Sequence, residues 1–205
     1  MSARGRPRSF DRDHALQVAL DTFWKKGYDL TQVADLTESM GINPPSFYAA
    51  FGSKEAAFRE AVDLYLRTVG SRTFHVLDQS PAVEDAVRGM LAESTNAALA
   101  GPAGGCLLIL GVIHRTPDNA LLCEWLQSIR QGNVDSIRAR LQRAVDEGEL
   151  ASDADVYGLT HFLATVLQGL SLRARDSASR SDLEAAVDLA MRLFGTLAKP
   201  MRKRR

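Results

Sequence analysis

Only two cysteines, Cys106 and Cys123, occur among 205 residues. Two thiols cannot build a disulfide framework, and neither stands in ligand spacing with the scattered His14, His75, His114 and His161, so no metal site is expected. No run reaches the roughly 20 apolar residues of a membrane span. The Arg-rich start at Arg4, Arg6 and Arg8 lacks the apolar core of a signal peptide, which points to a cytoplasmic protein with no membrane partner. Glycine-rich phosphate loops, nucleophile motifs and metal-ligand spacings are missing too, so neither catalytic residues nor a cofactor are expected. Alternation of the strand type is missing, as are internal repeats and low-complexity segments.

What is present is a hydrophobic content of 45%, enough for a sizeable core. The net charge is zero, but it is unevenly spread. Residues 1–8 hold three basic groups and 199–205 hold five, with no acid in either, so the intervening body carries 17 basic against 25 acidic residues. A basic end on an acidic body suits a polyanionic partner for the N-terminal arm; the C-terminal tail reads as a solvated end.

Apolar residues recur at steps of three and four almost throughout, which predicts an all-α chain of about nine helices. Leu16, Ala19, Leu20 and Phe23 mark the inner face of a first helix ending near Gly27. Thr31 is expected to cap a second, with Val33, Leu36 and Met40 inward and Gly41 as its stop. Asn43 caps a short third helix that ends around Phe51, with Pro44 tolerated at its first position. Ser53 opens a fourth, carrying Phe58, Val62, Tyr65 and Val69 inward and running to about Asp78. Beyond Pro81, breaks at Gly101-Pro102, Gly104-Gly105, Pro117 and 148–152 leave long helical stretches over 118–147, 153–175 and 181–198. The expected division is an arm (1–8), a three-helix head (9–69), a helical regulatory and dimerisation domain (70–198) and a tail (199–205).

Two short helices about a tight Gly-containing turn form a helix-turn-helix, the frame that sets a second helix into a DNA major groove. Ile42 and Phe47 can pack on Val33 and Leu36 to make the pair one rigid body, and Phe47 and Phe51 read as core. Alone the turn is a weak signal, since enzymes also contain helix pairs. The whole run from Thr31 to Glu55 resembles the DNA-binding domain of the tetracycline-repressor (TetR) family. Gly27-Tyr28 closes the first helix, Thr31 opens the second, Tyr48-x-x-Phe51 ends the third and Ser53-Lys54-Glu55 opens the fourth. The motif resemblance covers about residues 10–65.

The resemblance implies a sequence-specific transcriptional regulator, by the family's usual outcome a repressor, acting on a palindromic double-stranded operator as a homodimer. Thr31, Tyr48 and Lys54 would hold phosphates, contacts that position without reading sequence. Base readout would fall to Asn43, Pro44, Pro45, Ser46 and Ala49, with Ala50 beside them. Pro-Pro replaces the basic residue and glycine that many relatives carry near 44 and 45, so apolar contact with thymine methyls is expected to carry more of the discrimination. Residues 9–58 hold four basic and seven acidic groups, so affinity must lean on the arm, where Arg4, Arg6 and Arg8 suit a narrow minor groove. A helical architectural DNA binder without a sensor is the alternative.

For the body the resemblance implies pairing through the last two helices and an unknown small-molecule inducer. Leu159, Phe162, Val166 and Leu170 on one helix, with Leu183, Val187, Ala190, Met191 and Phe194 on the other, are the expected dimer face; some of the apolar residues there must be intramolecular core. Ligand contacts are sought at Phe74, Met90, His114, Trp125, His161 and Phe162, with Tyr65 and Gln168 beside them, a set that suits a hydrophobic ligand. Gly104-Gly-Cys-Leu107 resembles a Gly-Cys-Leu run in one branch of the family. Cys106 stands at an expected helix start, where a helix N-terminus lowers a thiol's pKa, and so is a candidate electrophile or oxidant sensor; a small buried hydrophobe is the competing role.

Overall fold

The computed structural model describes residues 11–112 and 114–197, and every regular element among them is helical. Asp11 caps α1 (Arg12–Leu30) by accepting the amides of Asp13 and His14, and the helix breaks at Gly27, whose φ of 74° only glycine adopts freely. Then come α2 (Val33–Met40), α3 (Pro44–Phe51) and α4 (Lys54–Arg67). The fourth helix does not continue to Asp78. It stops at Thr68, where the Gly70 amide donates to the Tyr65 carbonyl at 2.8 Å, and the chain restarts as α5 (Ser71–Gln79). A β-branched pair followed by glycine makes a helix end there cheap.

The body follows as α6 (Val83–Ala100), the single turn α7 (Leu107–Leu110), a 3-10 turn (Pro117–Asn119), α8 (Ala120–Asp146), α9 (Val156–Arg175) and α10 (Arg180–Leu197). Nine helices of at least two turns are thus present among the described residues, and the three long stretches lie where the apolar periodicity places them.

The side chains form two cores. One joins α5, α6, α8, α9 and α10. The other gathers the inner faces of α1 to α4 around Phe23, Phe47 and Phe58, each fully buried and each contributing about 1.5–3 kcal/mol by leaving water. This head core is not closed by residues 9–69 alone: Leu107, Leu108, Val112, Leu122 and Leu126 complete it from α7, the connection after it and α8. The head therefore rests on the single turn α7 and on the first turns of α8.

Candidate nucleic-acid interface and control cavity

Leu36 of α2 and Phe47 of α3 are both 0% exposed, and the turn between them is left-handed at Gly41, which fixes the two helices as one body. Asn43 caps α3 by accepting the Ser46 amide at 2.9 Å, with Pro44 and Pro45 in the first turn. From behind, Arg12 donates to the Ala50 carbonyl and to Glu60, and its guanidinium lies 4.9 Å over the Phe51 ring. The outward face of α3 is thereby held rigid: Asn43, Pro44, Pro45, Tyr48 and Ala49 are exposed and Ser46 is half-buried.

Two expected phosphate ligands sit otherwise. Thr31 is fully buried, its hydroxyl donating to the Gly27 carbonyl at 2.6 Å and its amide to Tyr28; Gln32 caps α2 instead, in a box with Asp35. The break at Gly27 exposes carbonyls that need a donor, and the Thr31 hydroxyl supplies one. Lys54 serves the same junction. Its ammonium donates to the carbonyls of Tyr28 and Thr31, both at 3.0 Å, and stands 4.1 Å above the Tyr28 ring. Burial holds its pKa below the ordinary lysine value, with Asp29 opposing. Two of its three N–H bonds are therefore spent on clamping α4 to the end of α1. Arg4, Arg6 and Arg8 lie outside the described residues.

A cavity of about 90 Å³ lies in the body behind α4, lined by Tyr65, Phe74, Cys106, Leu108, Ile109, Arg130, Asn133 and Gln168 among others. Of the expected ligand contacts, Phe74, Tyr65, Cys106 and Gln168 line it. Met90 does not, being fully buried in the body core. His114 is exposed on the connection after α7, and His161 is exposed on α9 with its ring 4.3 Å from Tyr157. Trp125 packs on the head core, with the Arg59 guanidinium 4.6 Å above it, and Phe162 opens onto the α9–α10 groove. Periodicity marks these five as semi-apolar without saying which side of a helix faces a void.

The cavity is wired to the head. Tyr65 Oη donates to Cys106 Sγ at 3.2 Å, and the Cys106 amide donates to Ser171 Oγ at 2.7 Å. The Trp24 indole donates to the Gly105 carbonyl at 2.9 Å, and the Tyr28 amide to the Gly111 carbonyl at 2.7 Å, so both ends of α7 are tied to the end of α1. Arg175, in the last turn of α9, donates to the carbonyls of Trp24 and Lys25. The Gly104-Gly105 pair allows this approach: both have positive φ, and a Cβ on Gly104 would lie 2.6 Å from the Ala174 carbonyl. The thiol does not carry the lowered pKa expected of a helix start. Burial raises it, opposed by Tyr65, by the amides of Leu108 and Ile109 and by Arg130, because one turn of helix offers little field against desolvation.

The expected dimer face divides in two. Leu159, Leu170, Leu183, Val187, Ala190, Met191 and Phe194 are buried within the monomer, since both helices must cover the α6 side of the body core. Left outward are Leu172, Leu189, Leu193 and Leu197, with half-buried Phe162 and Val166 along the groove between α9 and α10.

Comparison with known proteins gives one answer. Residues 15–61 match the family described as bacterial regulatory proteins, tetR family. The HTH-type transcriptional repressor ComR of Escherichia coli (strain K12) is 32% identical over 199 residues, covering 96% of this chain and 95% of ComR. The repressor BdcR of the same strain is 31% identical over 196 residues, covering 94% and 93%. Among solved structures, a cysteine mutant of the TetR family transcriptional regulator CifR, complexed with 26-bp double-strand operator DNA, is 43% identical with a TM-score of 0.87, covering 92% of this chain and 98% of that one.

Proposed function

The chain belongs to the TetR family of bacterial regulatory proteins, a family of DNA-binding transcriptional regulators and not of enzymes, and from that premise we propose how its parts divide the work. Two copies pair through the outward face of α9 and α10 and present two α3 helices to a palindromic operator. Asn43, Pro44, Pro45, Ser46 and Ala49 meet the bases and Tyr48 a phosphate, within a head of residues 9–69. Lys54 keeps one N–H for the backbone while it holds the junction together. The protein represses until a small molecule fills the cavity or its Cys106 thiol is modified. The single observation that carries this reading is the rigid helix pair with its exposed α3 face, mounted on an α7 turn that also walls the cavity. Occupancy then favours one α7 position, and the Gly105 and Gly111 hydrogen bonds pass that bias to α1.

Genomic fragments recovered with the purified protein and footprinted should show a two-fold symmetric protected site. Uniform retention of fragments at equal salt, with no protected sequence, would instead mark an architectural DNA binder. Deleting residues 1–8 should weaken operator binding and reduce its dependence on salt, because three arginines leave the interface. An unchanged slope of affinity against salt would remove the arm from the contact.

A further inference from the structure

The cavity is less apolar than its aromatic lining suggests. The inner stripe of α8 runs Leu122, Leu126, Arg130, Asn133, Ile137 and Leu141 at steps of three and four, and two stations in the middle of it are polar. Both face the cavity. Arg130 Nη1 donates to the Leu108 carbonyl at 2.7 Å, two residues beyond Cys106, and no acid among the described residues pairs with the guanidinium. Desolvation lowers the Arg130 pKa, and the groups that oppose this are the thiols of Cys123 and Cys106, not a carboxylate. A cation half out of water without a counter-ion is unfavourable, and an anion brought by a ligand would relieve it. Gln168, an exposed residue that also lines the cavity, marks where it reaches the surface.

We propose that the cavity binds small electrophiles bearing an acid group, with the carboxylate on Arg130 and the reactive carbon at Cys106 Sγ, which it alkylates. This rests on the reading of the cavity as the control site and names its ligand class. With iodoacetate as the probe, the Cys106 proton passes to solvent, the thiolate attacks the methylene carbon, the S–C bond forms as the C–I bond breaks, and iodide leaves. The Tyr65 hydroxyl already donates to this sulfur and steadies the thiolate. A cavity of about 90 Å³ admits only a few heavy atoms beside the sulfur, which excludes long-chain acids.

The test compares iodoacetate with iodoacetamide, near-isosteric reagents that share a leaving group, on the full-length protein, with site-resolved mass spectrometry of Cys106 and Cys123. An ordinary thiolate repels the anionic reagent, so a free small-molecule thiol should favour iodoacetamide; Cys123, which also acts on Arg130, is followed only to keep its adducts apart from those of Cys106. Cys106 should reverse this and favour iodoacetate about tenfold, the ratio that 1.4 kcal/mol supplies. Arg130→Gln should abolish the preference and Arg130→Lys retain much of it; because the readout is a ratio, a change in the thiol's own reactivity cancels. Faster reaction with iodoacetamide at Cys106, no reaction with either reagent, or an unchanged ratio in Arg130→Gln overturns the proposal. Operator binding is measured on the same samples. Release by iodoacetamide without any iodoacetate preference keeps the control reading and rejects the ligand class. A clear preference with operator affinity unmoved supports the ligand class and rejects the control reading.

Discussion

Replacing Leu189 and Leu193 together with glutamate should give a chain that sediments as a monomer, keeps its helical circular dichroism and binds its operator about 100-fold more weakly or worse, the loss expected when two linked half-site contacts become one. The reasoning starts from α10. Leu183, Val187, Ala190, Met191 and Phe194 point into the monomer, while Leu189, Leu193 and Leu197 repeat at steps of four on the opposite side, 61%, 42% and 52% exposed. With Phe162 and Val166 of α9 they make an apolar face left uncovered among the described residues. In the proposed dimer a two-fold axis sets this stripe against its own copy, where introduced glutamates would meet each other across the axis with their charges unpaired. Met191→Glu, only two residues from Leu193, should instead unfold the protein, since Met191 is 2% exposed in the core. A double variant that remains dimeric at micromolar concentration would move the interface elsewhere.

Glu149→Ala should cost about 3–5 kcal/mol of stability, the usual penalty for stripping a buried cation of its partner. Arg140 on α8 is 3% exposed and ties three segments together. Its Nη1 meets Glu149 at 2.9 Å, its Nη2 donates to the carbonyls of Ser80 and Pro81, and the Glu149 carboxylate also accepts the Val83 amide that opens α6. Glu149 is the only carboxylate paired with Arg140 among the described residues, so its loss leaves the guanidinium without a counter-ion. Arg143→Ala, which breaks the exposed and solvent-screened pair with Asp78, should leave stability close to that of the wild type. Denaturant unfolding at one fixed protein concentration separates the two; equal, small losses would show that the pair contributes little.

The same pair gives a pH dependence. Burial pushes the Glu149 carboxyl up, but hydrogen bonds from Arg140 and the Val83 amide and the charges of Arg140 and Arg143 outweigh it, and the pKa falls below the usual glutamate value. A depressed folded pKa contributes stability that is fully present above the unfolded value, about 4.3, and is lost as pH falls through the lowered folded one. Over that acid interval the wild type should lose stability more steeply than Glu149→Gln.

Several features were legible from residues alone because each is decided within a few positions. The α3 cap needs only Asn43 three residues before Ser46 and prolines where an amide has no helical partner. The burial of Phe47 and Phe51 follows from spacing on one short helix. Arg130 and Asn133 were legible in principle too, as polar stations in an apolar stripe, though length and charge hide them in a helix rich in both. By contrast, Thr31 and Lys54 suit a phosphate by type and position, yet the carbonyls freed by the break at Gly27 claim both first. For Thr31 the competitor is local, four residues back; for Lys54 it arises only when the start of α4 meets the end of α1.

The amino-acid sequence by itself determined the helical class, the helix-turn-helix, its family and the long helices of the body, since all depend on local periodicity, caps and motif spacing. Tertiary structure alone decided which side of a two-faced helix is core and which is left outward, because α9 and α10 are apolar on both sides and only the position of α6 selects between them. It also decided that α7 belongs to the head core, and that Tyr65, Cys106 and Arg130, 41 and 24 residues apart along the chain, share one cavity. Contacts between side chains so distant in sequence are set by packing, and no local pattern records them.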